Sequence, residues 1–353
     1  MSRRLLSWFR RHARDLPWRR SRDPYPIWIS EIMLQQTQVA TVIPYFERFL
    51  HAFPSVDALA RAEEAEVLRL WEGLGYYRRA RNLHLAAQVL VASHDSVFPP
   101  DADAAKGLPG IGRYTANAIL SQAFDQRLPI LESNSVRLLS RLFGRREDPR
   151  RGPGQAWLWQ AAERLLPDRH AGDFNQAVME LGALICTPED PDCGSCPLAD
   201  VCEAHRLGLQ ASIPVRAVKP ATIEIEEVAI VPTRRGQVLL VQRPASGRWA
   251  NLWEFPHGPV HAGESNQSAA QRLLAELTGL EGHIGNQPPF LSLRYSVTHH
   301  RYAMTCLRAH VARGRFRAGA YEQGRWLDAD QLADFPVSAP QRRLARALIA
   351  MKT

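Results

Sequence analysis

Leu108–Ile119, LPGIGRYTANAI, sets two glycines, Gly110 and Gly112, either side of Ile111 and follows them with Arg113-Tyr114-Thr115. The stretches Asp101–Leu108 and Arg113–Ala123 can each form a helix, with Pro109–Gly112 as the tight turn between them. Glycines at such a turn let backbone N–H groups point outward where the second helix begins. With the helix dipole they make a nest for one phosphate. Taken alone, the stretch fits an ordinary helix–helix connection equally well. The rest of the chain tilts the reading toward a nucleic-acid backbone.

Outward from the hairpin, residues from Arg3 to about Gly208 read as mostly helical. Apolar residues recur at spacings of three and four in IWISEIMLQQTQVATVIPYFERFL, in AEVLRLWEGLG and in RRARNLHLAAQVLVA. Clusters of Pro, Gly and Asp (FPP, DPRRGPG, TPEDPDCG) break the helices. The segment Ile213–Ala221, IPVRAVKPA, carries two prolines and no helical stripe, and reads as a linker. Beyond it the pattern turns to strands (TIEIEEVAIV, VLLVQRP, RYAMTCLRAHV) with helices at SNQSAAQRLLAEL and APQRRLARALIAM. This defines a second, α+β domain.

At 353 residues, 45% hydrophobic and 23% charged, the chain is long enough for two separate cores. No apolar run approaches about 18 residues and the basic N-terminus has no signal-peptide core, so neither a membrane span nor a signal peptide is expected. The net charge of +8 is uneven. Through Ile213 there are 26 Lys and Arg against 25 Asp and Glu, and beyond it 18 against 11. The excess over the second domain suits a polyanionic partner.

Four cysteines close the helical part as Cys186-x6-Cys193-x2-Cys196-x5-Cys202. Without a signal peptide they are poor candidates for disulfides. Four thiolates in so short a loop are suited to zinc or to an iron–sulfur cluster, and spacing alone does not choose. The fifth, Cys306, falls in a strand and reads as core.

In order along the chain, LPGIGRYTA, PILESNSVR and the cysteine loop resemble the endonuclease III superfamily of DNA glycosylases. WISEIMLQQTQVATVIPYF, WEGLGYYRRARNL and FNQAVMELGALIC are similar to the MutY-type adenine DNA glycosylases. The likeness runs from Leu5 to about Ala211 and continues more loosely into the second domain. It implies an all-α helix-hairpin-helix glycosylase domain over 1–212, with a six-helix barrel module at about 22–133. An iron–sulfur module of 1–21 plus 134–212 would hold a 4Fe–4S cluster on the four cysteines. A linker at 213–221 and a Nudix-like lesion-recognition domain over 222–353 complete the expected architecture.

Glycosidic cleavage needs a protonated leaving group and a stabilised sugar cation, roles that paired carboxylates commonly fill. Glu31 stands in the apolar run WISEIML, where burial raises a carboxyl's pKa and suits it to act as an acid. The resemblance implies that Glu31 protonates adenine N7 and then helps to activate water. At Tyr114, bifunctional members of the superfamily carry a lysine that attacks the sugar. A phenol cannot form a Schiff base, so base removal without strand cleavage is expected. The family's Asp-Gly-Asn is here Glu132-Ser133-Asn134, one methylene longer at the acid. Compensation by the backbone, with Ser133 part of a coordinated change, is the preferred reading. Glu132 as a helix-capping acid is the alternative.

The resemblance further assigns Arg14, Trp18, Leu34 and Gln176 to an adenine pocket. Gln35, Gln36, Thr37 and Tyr76 would contact the DNA, Gln36 and Tyr76 inserting into the stack, while Lys106, Gly110 and Gly112 would meet its backbone. In the second domain, Gly258-x5-Glu264-x7-Arg272 fits the start of a Nudix box, but Leu273 and Leu277 stand where glutamates are needed and only Glu276 persists. Loss of that Mg²⁺ site implies no nucleotide hydrolysis. The family's Phe-Ser-His loop for 8-oxoguanine is here Val297-Thr298-His299, which leaves Thr298 and His299 as the recognition residues. The expectation is a monomeric, monofunctional base-excision glycosylase. It would be cytoplasmic, or nucleoid-associated if bacterial, acting on double-stranded DNA with A·8-oxoguanine or A·G mispairs. A glycosylase of altered mispair specificity and a catalytically weak lesion-binding protein remain the alternatives.

Overall fold

The computed structural model describes residues 1–149, 152–215 and 220–351. Residues 216–219 of the expected linker lie outside these. The chain divides into two compact units, Met1–Arg61 with Asn82–Val218, and Ala62–Arg81 with Lys219–Thr353.

Helices α1 (Ser2–His12), α2 (Pro24–Leu34), α3 (Val39–Ala52) and α4 (Val56–Arg61) open the first unit. Helix α5 (Glu64–Leu70) belongs to the second unit, and α6 (Arg78–Ser93) begins there and continues in the first. Helices α7 (Ala102–Gly107), α8 (Arg113–Phe124), α9 (Ser133–Leu142), α10 (Gly152–Leu165), α11 (Ala171–Leu184) and the short α12 (Glu203–Arg206) follow. The periodic stretch from Ile27 to Leu50 is not one helix. It breaks between α2 and α3, where Gln36 takes a φ of 58° and the polar run Gln35–Gln38 has no apolar face to bury.

Local chemistry sets the helix starts. The Asp23 carboxylate accepts from Tyr25 N ahead of α2, whose first residue is Pro24. Asp101 caps α7 by accepting from Asp103 N and Ala104 N. Between α7 and α8, Gly110 has a φ of 78°, and a Cβ there would sit 2.7 Å from the Asn82 Cβ, so the turn demands glycine. Gly112, the residue before α8, has open space beside it. Helices α1, α9 and α11 share a core of Leu5, Trp8, Phe9, Leu138, Leu142, Phe174 and Leu181, which extends to Cys186 and Leu198.

The second unit is built on an eight-stranded sheet. Its strands are β1 (Ile223–Arg234), β2 (Gln237–Gln242), β3 (Trp253–Glu254), β4 (His257–Pro259), β5 (Glu281–Ile284), β6 (Leu291–Val297), β7 (His300–Arg313) and β8 (Gln323–Leu327). The central order is β3-β2-β1-β7-β5, with β4 on β1, β6 on β7 and β8 on β2. Strands β1 and β7 are parallel, Ile223 facing His300 through Thr233 facing His310. Helices α13 (Asn266–Thr278) and α14 (Ala339–Ala350) cover its two faces. Period-two alternation sends Val228 and Ile230 to the α13 side, Ala229 and Val231 to the α14 side. Cys306 is buried in the α14-side core, where burial pushes its thiol up to about 12.

Residues 62–81, which the helical pattern runs on with the first unit, are tied to the sheet unit by polar contacts. Arg342 donates to both oxygens of Glu72 at 2.8 Å, Asn251 to Glu64 at 2.6 Å, Arg81 to the Ala250 carbonyl at 2.6 Å, and Tyr77 to the Val337 carbonyl at 3.2 Å. None of these partners is visible in a local pattern.

Candidate active site

The first unit holds an open cleft of about 800 Å³. It gathers Arg14, Trp18, Glu31, Leu34, Gln35, Gln36, Thr37, Gly110, Gly112, Tyr114, Glu132, Asn134 and Gln176 from segments far apart in sequence. Helix α2 delivers Glu31, which is only 5% exposed in a helix that is apolar apart from Ser30 and the Tyr25 hydroxyl. Helix α8 crosses it and supplies two donors. The Tyr114 hydroxyl donates to one Glu31 oxygen at 2.9 Å, and Gln122 Nε2 donates to the other at 2.8 Å. Burial raises the Glu31 pKa above that of an ordinary carboxylate, reinforced by Glu132; Gln122, Tyr114 and Arg19 oppose it. Burial, with Glu31 and Glu132 nearby, holds the Tyr114 phenol well above its usual value, so Tyr114 stays a neutral donor.

Glu132 is the residue that caps α9. One of its oxygens accepts from Ser135 N at 2.7 Å. The other accepts from Asn134 N at 2.8 Å, Ser133 Oγ at 3.1 Å and Asn134 Nδ2 at 3.2 Å. Ser135 Oγ in turn accepts from Glu132 N, completing a capping box. The capping reading and the cleft-lining reading therefore hold together. Ser133 supplies a donor that glycine could not. Asn134 is held by Arg137, whose guanidinium bonds Asn134 Oδ1 at 2.8 Å, the Gly182 carbonyl at 2.7 Å and the Cys186 carbonyl at 2.7 Å. A Cβ at Gly182 would lie 2.6 Å from the Asn134 Cβ, so α9 and α11 meet there at a distance only glycine permits.

Glu180 on α11, which carried no expectation in the sequence, lines the same cleft. It is 1% exposed, yet accepts from Arg14 N, Nε and Nη2 at 2.8–2.9 Å and from Arg19 Nη2 at 2.9 Å. Burial alone would raise its pKa, but the two arginines and the backbone N–H bring it down to about 2. Arg14 lines the cleft as expected, anchored by this acid. The signal was present: an isolated glutamate in the apolar run FNQAVMELGALIC is the same cue that marks Glu31. Gln122 and Arg19 also line the cleft and carried no such cue.

Other expected residues lie apart from this cleft. Lys106 on α7 pairs with Asp103 at 2.6 Å. Tyr76 belongs to the second unit, 52% exposed with a φ of 48°. Thr298 and His299 form the two-residue turn between β6 and β7, Thr298 with a φ of 55° that a β-branched residue adopts only under strain. In the Nudix-like box, Arg272 pairs with Glu264 at 2.8 Å and with Glu276 at 3.1 Å, while Leu273 packs against Gly258.

Cys186, Cys193, Cys196 and Cys202 line one small cavity walled by Leu138, Leu142 and Ile185. Burial pushes the Cys196 thiol up to about 11 and raises Cys202 as well, each with further contributions from the other cysteines. Arg141 Nη1 reaches Cys186 Sγ at 3.4 Å and Gln210 Nε2 reaches Cys193 Sγ at 3.6 Å. Among the described residues no group of three or more His, Cys, Asp or Glu is arranged to hold a metal ion. Cys186 is buried and Cys193, Cys196 and Cys202 are half-buried, so the loop brings four thiols together with N–H donors on two of them, the kind of ligand that iron–sulfur groups and zinc both take.

A glycine hairpin with open space beside Gly112, a buried acid beside a neutral phenol and a capped second carboxylate fit the class of helix-hairpin-helix base-excision glycosylases. Comparison with known proteins agrees. Residues 29–163 match the HhH-GPD superfamily base excision DNA repair protein model, and residues 227–347 match the NUDIX domain model. The chain is 38% identical to the adenine DNA glycosylase of Rattus norvegicus, over 78% of this chain and 63% of that one. It is 34% identical to the adenine DNA glycosylase of Mus musculus, over 97% of this chain and 76% of that one. For the adenine DNA glycosylase of Buchnera aphidicola the figures are 37%, 72% and 74%. Among solved structures, a thermostable thymine-DNA glycosylase matches with a TM-score of 0.53 at 29% identity, covering 58% of this chain and 95% of that one. A trapped endonuclease III–DNA covalent intermediate shares the fold, with a TM-score of 0.51 at 21% identity over 59% and 95%. The chain belongs to the adenine DNA glycosylase family.

It is thus a DNA-repair glycosylase with an all-α helix-hairpin-helix domain followed by an α+β Nudix-like domain. No helix among the described residues is long and apolar enough to cross a membrane.

Proposed function

We propose that the chain hydrolyses the N-glycosidic bond of adenine opposite 8-oxoguanine or guanine in double-stranded DNA, and leaves the sugar–phosphate backbone intact. The observation that carries this is Glu31, a buried carboxyl whose two hydrogen-bond partners are neutral donors, with Arg19 acting on it only through space. Such a group holds its proton to higher pH than an ordinary carboxyl and can deliver it to adenine N7. The C1′–N9 bond then breaks, its electron pair leaving with adenine. Water adds to C1′ and returns a proton to Glu31. The Glu132 carboxylate, pinned by four donors, faces the developing cation, and Ser133 supplies one of those donors.

Tyr114 neither attacks the sugar nor carries charge, so lyase chemistry has no nucleophile at that position. Arg14, Trp18, Leu34 and Gln176 enclose the extruded base. Gln35, Gln36, Thr37 and Tyr76 meet the opened stack, and Gly110 and Gly112 the phosphate backbone, with Lys106 alongside. Thr298 and His299 read the partner base. The four cysteines would hold a 4Fe–4S cluster that braces the loop after α11. The chain would act as a monomer in the compartment that holds the DNA, with domains at 1–212 and 222–353.

The test is a panel of labelled duplexes (A·8-oxoguanine, A·G, A·C and T·G) under single-turnover conditions, quenched with and without alkali. Strand breaks that need alkali, fastest opposite 8-oxoguanine, are expected. Retardation of the A·8-oxoguanine duplex without alkali-labile product would contradict the reading in favour of a lesion binder. Absorbance near about 400 nm with about four irons per chain is expected of the purified protein, and stoichiometric zinc would contradict the cluster.

A further inference from the structure

Helix α8 carries a second polar residue to the acid, and nothing in the proposed reaction has used it. Gln122 is 8% exposed, buried in the α2–α8 contact with its amide Nε2 2.8 Å from Glu31 Oε1. The Tyr114 hydroxyl takes the other oxygen, Oε2. The two donors differ in kind. A hydroxyl rotates, and can donate to a carboxylate or accept from a carboxylic acid. An amide nitrogen is donor only, so it can bond Glu31 Oε1 only while that oxygen serves as acceptor. A proton on Oε1 in the direction of the amide would set two donors against each other in a buried site, at the cost of the hydrogen bond.

We propose that Gln122 is a positioning residue for excision: it fixes Glu31 Oε1 as the acceptor, so that the transferable proton resides on Oε2, beside the reversible hydroxyl of Tyr114. This rests on Glu31 being the acid. It also gives the amide a part in setting when the proton leaves, because a donor to the carboxylate stabilises the deprotonated form against the burial that opposes it. The charged and titratable groups that bear on Glu31 are Tyr114 from α8, Glu132 from the start of α9, and Arg19 from the turn at Pro17–Arg19. None of them contacts Oε1. Removing the amide therefore shifts the balance in one direction, toward a more tightly held proton.

The experiment measures single-turnover excision from an A·8-oxoguanine duplex as a function of pH for the full-length protein, Gln122→Met and Glu31→Gln. Methionine keeps the length and volume of glutamine without a donor. In the wild type, the rate falls on the alkaline side as the acid loses its proton. Gln122→Met is expected to move that limb upward by about one pH unit, the size of a single hydrogen bond to a charged group. Its maximal rate should fall several-fold while duplex affinity is kept. Gln122→Asn is too short to reach Oε1 but keeps the amide. It should shift the limb in the same direction, and it replaces methionine as the probe should Gln122→Met fail to fold.

A profile that superimposes on the wild type, or drops uniformly with no displacement of the limb, would overturn the role and leave Gln122 as packing. Failure of the underlying reading is separately visible, because Glu31→Gln would then still excise adenine.

Discussion

The cleft of the helical unit and the core of the sheet unit each bury a pair of glutamates, and they treat them in opposite ways. In the sheet unit, Glu227 and Glu254 flank His257, its ring nitrogens 3.4 and 3.3 Å from the two carboxylates, and Arg243 pairs with Glu254 at 2.8 Å. Burial opposes every charge there, yet Glu254 and Glu227 raise His257 to about 9, and both glutamates fall below their usual values. Two cations answer two anions and the cluster has no unmatched proton to give. In the cleft, Glu180 has two arginines while Glu31 has only an amide and a phenol within hydrogen-bond reach. Burial of a carboxyl without a cation at contact stores a proton; burial with one builds a scaffold. On the proposed mechanism, the same residue type does chemistry in one place and holds structure in three.

The largest effect that would test the contrast is on the rate. Glu31→Gln keeps the shape and cannot donate the proton, so excision should fall by about 10²- to 10⁴-fold in single-turnover assays with duplex affinity unchanged. Glu180→Gln should act first on stability. It leaves Arg14 and Arg19 facing each other in a partly buried cleft, a loss of about 2 kcal/mol by denaturant titration at neutral pH. That is less than for a fully buried pair, because Arg14 still reaches solvent. The Glu180 pKa is depressed on folding, so this contribution is present above about pH 4.5 and is lost as the pH falls toward about 2. Wild type and Glu180→Gln should therefore converge in acid.

His257 has the opposite sign. Its folded value lies above the unfolded one, so the stability it brings is complete below about pH 6.5 and is lost as the pH rises through about 9. The stability of the wild type should decline over that window by about 3 kcal/mol, and His257→Gln should not show the decline. The smallest effect belongs again to Glu31. A carboxyl whose pKa folding raises costs stability as the pH climbs past the usual carboxylate range. Glu31→Gln should thus be slightly more stable than the wild type at neutral pH, and the gap should close as the pH falls below the ordinary carboxylate range, as denaturant titration would show.

Much of this was legible in the chain itself. The glycine-bracketed turn, the alternation of VAIV in β1 and the lone acid in WISEIML each state their structure through local spacing, and each folded accordingly. The rest depends on partners far away in sequence. Glu180 is governed by arginines 161 and 166 residues off, and Gln122 in AILSQAF looks like any helix-surface amide until α2 packs on it. Residues 62–81 carry a helical pattern, but their allegiance is set by Arg342 and Asn251, which no local pattern could supply. At Glu132 two readings looked exclusive on paper. One carboxylate has room to cap a helix with both oxygens and still face the cleft.

The opposed protonation of Glu31 and Glu180 is open to direct observation. Carbon-13 NMR of the protein labelled at its glutamate carboxyls, titrated from about pH 2 to about pH 9, would follow each group, with Glu31→Gln and Glu180→Gln identifying the two signals. The account predicts that the Glu31 signal titrates above the ordinary carboxylate range while the Glu180 signal moves only near about pH 2. Two signals titrating together near pH 4.5, the ordinary carboxylate value, would contradict it.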